Sequence, residues 1–433
     1  MLLFDRGLGG DGWAGFATLE SLADDGDPWV EGESRGVMNG LVGTPSGHLV
    51  MQYPPGVLAL DALPFLAGRL ADRALPESWM ANGFELPPAG REPRGVFLSA
   101  AMIVLARNAV TLLGLFWIFQ ALRRMEISEG VAAAATALVF FGGPLIFYSL
   151  VGMTHAPVFA LAGLLLLVLA RQRETGSGRL ALAAGTIVGA AVLLRYGSIA
   201  LAAPALLAIF LGPGGRRRWP AFAAGLLPFL LALPLWWRWL FGAWSPPYGG
   251  TWAISAASPW NVLFSPVHGL FLFHPALLLG AAGLAMALRR SPGWGAVGAV
   301  WFLAVAVLYG WWSEWNNAGG YGQRFLTDAL PALGIGFAAL LQRQQGREAP
   351  GEVFPVPAVS AVPAVSVLLL ALLGYALFFA AVGGLAPPPP GLPWPQTLAD
   401  YAPLLHHPPG PGELADALRR ASLPVRAAAG AAR

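Results

Sequence analysis

The sequence predicts an all-α, polytopic integral membrane protein with about ten transmembrane helices and juxtamembrane helices in an external first loop. Two observations support this fold class. Of the 433 residues 56% are hydrophobic and only 11% are charged, and the mean hydropathy is +0.60. Apolar runs of helix length recur along the chain, as they do in proteins that cross a bilayer several times.

The composition also excludes several kinds of site. The chain has no cysteine, so it contains no disulfide, thiolate nucleophile or cysteine-bound metal. It has no lysine either, so all 26 basic residues are arginines. They lie mostly in short loops and the net charge is only +3, which argues against a nucleic-acid partner. A lysine-free chain rich in Ala, Gly, Pro and Arg is typical of GC-rich coding and points to a bacterial source.

Ten transmembrane spans follow a shorter apolar segment. Residues 54–71 include Asp61 and Arg69 and fall short of the ~20 apolar residues that a span needs, so they predict a juxtamembrane or re-entrant helix. The predicted spans cover residues 95–122, 131–151, 156–170, 180–195, 197–212, 219–241, 270–288, 294–311, 325–342 and 357–382.

Arginines in the loops give the orientation of these spans. If the first span runs inward, every inside loop carries arginine and the topology obeys the positive-inside rule. Tryptophans such as Trp236, Trp237 and Trp239 cluster at the outer ends, which is typical of an interfacial belt. We therefore expect a multi-pass protein of the bacterial inner membrane with its active site facing the periplasm. The inside arginines are Arg123, Arg124, Arg171, Arg173, Arg179, Arg216, Arg217, Arg218, Arg289, Arg290, Arg343 and Arg347.

This topology divides the chain into three regions. Residues 1–94 form an external acidic loop that includes juxtamembrane helices, residues 95–382 form the helix bundle, and residues 383–433 form an external proline-rich tail. The sequence opens without a signal peptide. Because residues 1–94 must be exported, we expect one further helix upstream of Met1.

The most polar part of the chain lies near its start, where eight of the 23 acidic residues occupy the first 35 positions. They include Asp11, Asp27 and Glu33. Between them, Trp13–Ala23 has apolar residues at helical spacing, which predicts a short helix on the membrane surface. A solvated acidic loop without any chemistry would have the same composition.

Polar residues at the outer ends of the spans are candidates for a binding site. Arg195 ends one span, Arg324 begins another, and His155 and His268 lie on the same side. Together they would converge on one anion, and a lipid phosphate suits arginine because the guanidinium offers paired donors to phosphate oxygens. A histidine that caps a helix end is also an ordinary structural residue, and Asp328 is spaced to pair with Arg324 at i+4.

Three other polar residues have competing interpretations. Glu314, in the stretch WWSEWNN, is a candidate acceptor for a sugar hydroxyl. Arg238 lies among tryptophans and is expected to reach the interface rather than the site. Arg107 lies deep in the first span, where a charge is costly, so either it pairs inside the bundle or the span begins later.

The order of these motifs resembles a known family. An acidic motif in the first external loop, then Tyr53-Pro54-Pro55-Gly56, then many spans is similar to the bacterial membrane glycosyltransferases of the C-type (GT-C) fold, which include the protein-mannosyltransferase and aminoarabinose-transferase families. Three stretches fit the same group: SPVHGLFLFHP at 265–275, Met153-Thr154-His155, and GYGQRF at 320–325. The resemblance covers most of positions 5–345. The chain departs from it at Gly12, where many relatives carry a second acid.

The resemblance implies a hexosyl- or pentosyltransferase that moves a sugar from a polyprenyl-phosphate donor to an acceptor hydroxyl with inversion. It assigns the general base to Asp11, alone or shared with a nearby aspartate such as Asp27. It also implies that Asp27 and Glu33 bind sugar or shape the acceptor site, and that Arg195 and Arg324 bind the donor phosphate. The acceptor would be a cell-envelope glycan, lipid or protein at the membrane lipid. No cofactor is required, although some relatives use a divalent metal, for which Asp11, Asp27 and Glu33 would serve.

Two other classes stay open. A transporter or flippase for the same lipid-linked saccharide would place charges or broken helices near the bilayer midplane in both halves, whereas here only Arg107 is clearly deep. An inactive membrane subunit would be insensitive to replacement of Asp11. The sequence contains no HExxH, CxxC or lysine-bearing phosphate loop, which disfavours a metalloprotease, a zinc ribbon and a nucleotide-driven pump.

Overall fold

The structure, a computed structural model, describes residues 10–30, 40–74, 96–150, 153–245, 258–265, 268–312 and 323–344. Within these ranges nearly all of the secondary structure is helical, as the all-α prediction requires. The helices are α1 (Gly10–Asp24), α2 (Gly56–Ala74), α3 (Val96–Arg124), α4 (Glu129–Phe141), α5 (Leu145–Leu150), α6 (His155–Thr175), α7 (Gly178–Leu194), α8 (Ala202–Leu211), α9 (Trp219–Phe241), α10 (Ser258–Phe264), α11 (Leu270–Phe273), α12 (Ala276–Arg290), α13 (Pro292–Gly310) and α14 (Leu330–Gln344). The 3-10 turns Tyr196–Leu201, Gly215–Arg218 and Arg324–Ala329 precede α8, α9 and α14.

Several of these helices match the predicted spans. Within the described ranges, five helical segments are long and apolar enough to cross a membrane, and three shorter apolar helices accompany them. The chain is therefore a multi-pass membrane protein. The five long segments are Leu98–Arg124, His155–Thr175, Gly215–Phe241, Pro292–Gly310 and Arg324–Gln342, and the shorter ones are Glu129–Phe141, Gly178–Leu194 and Tyr196–Leu211.

Two predicted spans are interrupted. The span at 131–151 breaks between α4 and α5 at Gly142-Gly143-Pro144, and the span at 270–288 breaks between α11 and α12 at His274-Pro275. Proline lacks the backbone N–H that continues a helix, so both breaks follow from the local sequence. The predicted span at 357–382 and the tail at 383–433 lie outside the described residues.

The acidic loop contains a β-hairpin that the sequence analysis did not predict. Strands β1 (Leu41–Gly43) and β2 (Leu49–Met51) pair antiparallel, and the turn between them is closed by Thr44, whose N–H donates to the His48 carbonyl at 2.8 Å. Val50 of β2 packs with Leu240 and Phe241 at the end of α9. The hairpin therefore fixes this part of the acidic loop to the aromatic end of a transmembrane helix.

Helix α2, predicted from residues 54–71, is joined to α3 by a buried ion pair. Arg107 Nε donates to Asp61 Oδ1 at 3.0 Å, and its Nη2 contacts the other carboxylate oxygen. Both residues are almost completely buried. Of the two interpretations of Arg107, the bundle-interior ion pair is confirmed, and α3 begins where the span was drawn.

The long helices approach one another closely through glycines. A Cβ at Gly163 of α6 would lie 2.6 Å from the Gly114 carbonyl oxygen of α3, and glycines on two further helix pairs likewise abut the backbone of the neighbouring helix. Small residues at such crossings allow the backbone contact that stabilises helices in lipid. The further glycines are Gly185 and Gly225 between α7 and α9, and Gly283 and Gly336 between α12 and α14.

The YPPG motif is held against the end of α7. A Cβ at Gly56 would lie 2.5 Å from the Leu193 carbonyl oxygen, and the Tyr196 hydroxyl donates to the Gln52 carbonyl at 3.4 Å. Only glycine permits this approach at position 56. The motif therefore lies within a few residues of Arg195, the residue that follows α7.

We expect Gly56→Ala to destabilise the protein by about 1–3 kcal/mol, because the added methyl group must displace the end of α7. The measurement is thermal unfolding in detergent, with Gly130→Ala as the matched control, since a Cβ at Gly130 would meet no atom within 4 Å. Equal stability of the two variants would show that the contact between the YPPG motif and α7 is loose.

Candidate functional site

Arg195 is held in place by its neighbours at the end of α7. The helix ends because Arg195 adopts an extended backbone, with φ −154° and ψ 123°. Its Nη1 donates to Asp328 Oδ1 at 2.8 Å and its Nη2 donates to the Tyr309 hydroxyl at 2.8 Å. A Cβ at Gly197 would lie 2.5 Å from the Tyr309 ring carbon Cζ, so glycine leaves room for that tyrosine.

Asp328 pairs with Arg195 rather than with Arg324, so the i+4 pairing considered from the sequence is wrong. Its carboxylate is fully buried and also accepts from the Ser198 hydroxyl at 3.0 Å. Arg324 begins a 3-10 turn, and residues at i and i+4 of a 3-10 turn lie about 120° apart around the axis because each turn takes three residues. Arg324 is therefore not neutralised by this carboxylate.

The ring of Phe325 brings two arginines and His155 together. The guanidinium carbon of Arg324 lies 5.0 Å from the ring centroid and that of Arg195 lies 5.6 Å from it. The His155 ring is 6.0 Å away in an edge contact, and Tyr309 stacks on Phe325 at 5.1 Å. The structure thus gathers three of the predicted site residues, from α6, α7 and the turn before α14, around one aromatic side chain.

Polar atoms of the predicted residues are left without partners in this cluster. His155 Nδ1, His268 Nε2 and Arg324 Nε are buried and make no hydrogen bond within the described ranges. Arg324 and His155 both lie beside the Phe325 ring, and the charge of Arg324 helps to lower the pKa of His268. Buried polar atoms are nearly always satisfied in proteins, so such a group indicates that a ligand or ordered water completes it. Two imidazole nitrogens and the Nε of a guanidinium at one site favour an anion, to which the imidazoles donate N–H groups.

His268 is presented by a tight turn in the SPVHG stretch. The Gly269 N–H donates to the Ser265 carbonyl at 2.7 Å, and a Cβ at Gly269 would lie 2.5 Å from that same oxygen. The turn closes only with glycine at this position. It places His268 beside Phe273 of α11, with ring centroids 6.3 Å apart.

Stability should depend on pH through His268. Burial, and secondarily the charge of Arg324, hold the pKa of this imidazole below its ordinary value of 6.5. Below pH 6.5 the unfolded chain then binds more protons than the folded protein, so the free energy of unfolding falls as the pH drops through 6.5 towards the lower folded pKa. We expect His268→Gln to flatten this fall, by at most ~1.4 kcal/mol per pH unit, in unfolding measured in detergent. An unchanged slope would contradict this expectation.

The two acidic candidates within the described ranges, Asp27 and Asp11, lie in different local structures. Asp27 Oδ1 accepts from the Trp29 N–H at 3.0 Å and lies 3.4 Å from the Ser21 hydroxyl, so this carboxylate shapes the turn after α1. Asp11 lies in the first turn of α1, the helix predicted from Trp13–Ala23. Helix α1 packs on α2 through Phe16 and Phe65, whose ring centroids are 5.3 Å apart.

Two predicted site residues, Glu33 and Glu314, lie outside the described residues. Within the described ranges no group of three or more His, Asp or Glu side chains is placed to hold a metal ion. Asp27 lies within those ranges but Glu33 does not, so a divalent metal at the acidic loop stays a prediction. Arg238 lies outside the Phe325 cluster, as expected: it donates to the Gly242 carbonyl and lies 5.9 Å from the Trp244 ring.

The residues that support Arg195 were not predicted from the sequence. Asp328, Tyr309 and Ser198 come from three separate segments, and the Trp301 indole N–H donates to the Asp328 carbonyl at 2.8 Å. One signal was present, because an acidic residue inside an apolar span is costly unless it is paired. That signal identifies Asp328 as a partner of some cation but does not say which one.

The similarity to known proteins is found among solved structures. No family model matches the chain, and no curated protein matches its sequence. Among solved structures the chain is similar to the crystal structure of ArnT from Cupriavidus metallidurans bound to undecaprenyl phosphate, with 17% sequence identity and a TM-score of 0.46 over 97% of this chain and 72% of that one. That protein is an aminoarabinose transferase of the GT-C family, one of the groups that the motifs resemble. At this identity and TM-score the likeness does not assign a function to this chain.

Proposed function

We propose that the chain is a membrane glycosyltransferase of the GT-C type that moves a sugar from a polyprenyl-phosphate donor to an acceptor hydroxyl at the extracytoplasmic face. One observation carries the proposal. Buried nitrogens of His155, His268 and Arg324 lack partners within the described ranges, and all three lie at one end of a membrane bundle. They favour an anion attached to a lipid, because they lie at the ends of membrane-spanning helices beside the rings of Tyr309 and Phe325.

The proposed donor fits this arrangement chemically. The acceptor hydroxyl attacks the anomeric carbon, the bond from that carbon to the phosphate oxygen breaks, and polyprenyl phosphate leaves with the bonding electrons. The hydroxyl proton passes to Asp11 as general base. Arg324 and the two histidines stabilise the charge that develops on the leaving phosphate. Arg195, already bound to Asp328, positions the aromatic residues around them.

The position of the YPPG motif links the acidic loop, which carries the proposed base, to the residues proposed to bind the phosphate. Gly56 abuts the backbone of α7 two residues before Arg195, and α2 extends from it to the ion pair at Asp61. The acidic loop that carries Asp11 is therefore fixed to the same end of the bundle as the cations. Inversion requires an acceptor bound at that loop to attack the anomeric carbon on the side opposite the leaving phosphate.

A transporter for lipid-linked saccharides is the alternative. In the described part of the bundle the deep charge of Arg107 is neutralised by Asp61, and the unpartnered nitrogens around Phe325 lie at helix ends. A transporter that moves a polar headgroup across the midplane would need polar contacts there. This distribution favours an enzyme.

A single assay separates the two functions. The purified protein is reconstituted into vesicles with a panel of polyprenyl-phosphate sugars and membrane-lipid acceptors, and both free polyprenyl phosphate and sugar-bearing acceptor are measured. We expect equal amounts of the two products. Movement of the lipid-linked sugar to the other leaflet without release of phosphate would instead establish the transporter.

A further inference from the structure

A second group of unpartnered polar atoms lies at the other end of the bundle. Helix α6 begins at His155 and carries Gln172 and Arg173 in its last two turns, about 26 Å away at 1.5 Å per residue. Gln172 is fully buried, yet neither its amide nitrogen nor its amide oxygen has a hydrogen-bond partner within the described ranges. A buried amide without partners is costly, so this end of α6 is incomplete without a ligand.

Glycines let the loop after α8 pack closely on the end of α6, beside the Gln172 amide. A Cβ at Gly212, just after α8, would lie 3.0 Å from Gln172 Oε1. A Cβ at Gly176, where φ is +63°, would lie 2.8 Å from the Pro213 carbonyl oxygen. The loop after α8 therefore crosses the end of α6 as bare backbone. No side chain at position 212 competes for the amide.

Arg173 extends from the same turn towards the start of α13. Its guanidinium carbon lies 4.5 Å from the ring centroid of Trp294, and a Cβ at Gly293 would lie 3.1 Å from Arg173 Nη1. That Nη1 is buried and makes no hydrogen bond within the described ranges. The start of a helix carries a partial positive charge, which adds to that of the guanidinium.

Arg218 contributes a further donor to these loops. Its Nε would lie 2.9 Å from a Cβ at Gly214, and its Nη1 3.3 Å from one at Gly178. The Nε is also buried without a hydrogen-bond partner among the described residues. The ends of α6, α8 and α13 thus meet around two arginines and an amide, each with a donor available to an anion.

We propose that this end of the bundle binds the phosphate headgroup of an anionic lipid, with Gln172 and Arg173 as contacting residues and Arg218 at the rim. The chemistry is that of a phosphate held by guanidinium and amide donors. A lipid is favoured over free phosphate because the site lies at the ends of membrane-spanning helices, and Arg289 and Arg290 immediately precede α13. Basic residues beside a membrane concentrate anionic headgroups.

The test is native mass spectrometry of the purified full chain in detergent, with phosphatidylglycerol and phosphatidylcholine of the same acyl chains. We expect phosphatidylglycerol to bind the wild type at least about tenfold more tightly than phosphatidylcholine does. Arg173→Gln should remove most of this preference. Arg171→Gln is the matched control, because Arg171 is exposed on the same helix end, and it should retain the preference. Equal losses in both variants, or no preference in the wild type, would overturn the proposal.

Two further measurements distinguish a lipid headgroup from free phosphate and test whether Gln172 contributes to binding. Inorganic phosphate at the same concentration as the lipid should leave the lipid bound, and displacement would show that the site takes free phosphate instead. Gln172→Leu should raise the Tm without lipid, because it removes an unsatisfied amide, and should reduce the further rise that phosphatidylglycerol produces. If Gln172→Leu raised the Tm by the same amount with and without phosphatidylglycerol, Gln172 would have no part in binding.

Discussion

Asp11→Asn is expected to lower glycosyl transfer by about 10²–10⁴-fold while the donor still binds. Asparagine has the size and hydrogen-bonding oxygen of aspartate but cannot accept the proton of the attacking hydroxyl. The measurements are the rate of polyprenyl phosphate release with saturating acceptor, and donor binding to the same preparation. A parallel loss of donor binding would place Asp11 in the binding site rather than in the proton transfer.

Two other aspartates provide the comparison for Asp11. Asp24, at the opposite end of α1, is half exposed and pairs with Arg69, so Asp24→Asn should leave the transfer rate unchanged. Asp27→Asn retains an oxygen for the Trp29 N–H and should cost little if this residue only shapes the turn. If Asp27→Asn instead reduces the rate as strongly as Asp11→Asn, the two aspartates share the role of base.

Arg324→Gln is the second change with a large expected effect. Removing one donor that stabilises a developing oxyanion costs about 10²–10³-fold in rate, and we expect weaker donor binding as well because the ground-state phosphate is also charged. Arg324 is a better choice than Arg195, since replacing Arg195 would leave the buried Asp328 carboxylate unpaired and destabilise the fold. The measurements are transfer rate, donor affinity and Tm.

Arg238→Gln is the matched control for Arg324→Gln. Both arginines lie at the end of the bundle predicted to face outwards, but Arg238 is exposed, donates to the Gly242 carbonyl and lies over the Trp244 ring. We expect a transfer rate within about twofold of wild type, as for other surface charges. If both variants lost activity equally, a general effect of positive charge at this face would replace a specific role for Arg324.

The sequence predicted the membrane class and the gathering of His155, Arg195 and Arg324, because arginines at the outer ends of spans are exceptions to the positive-inside rule. It did not predict the pairing of Arg195 with Asp328, since 133 residues separate them. Local spacing favoured Arg324 as the partner, and the 3-10 geometry of that turn removed this option. The hairpin was missed because strands of three residues carry almost no periodicity, although Gly47 with φ +87° marks its turn.

The Asp61–Arg107 pair has a consequence for how the chain enters the membrane. An arginine in the middle of a helix costs about 2.5–3.5 kcal/mol when that helix is inserted by the translocon. Because α2 leaves the ribosome before α3, its carboxylate is available as Arg107 moves into the lipid, and the two helices can partition as one neutral unit. Loss of Asp61 is then expected to act during synthesis, as failed insertion of α3, in addition to leaving Arg107 unpaired in the finished protein.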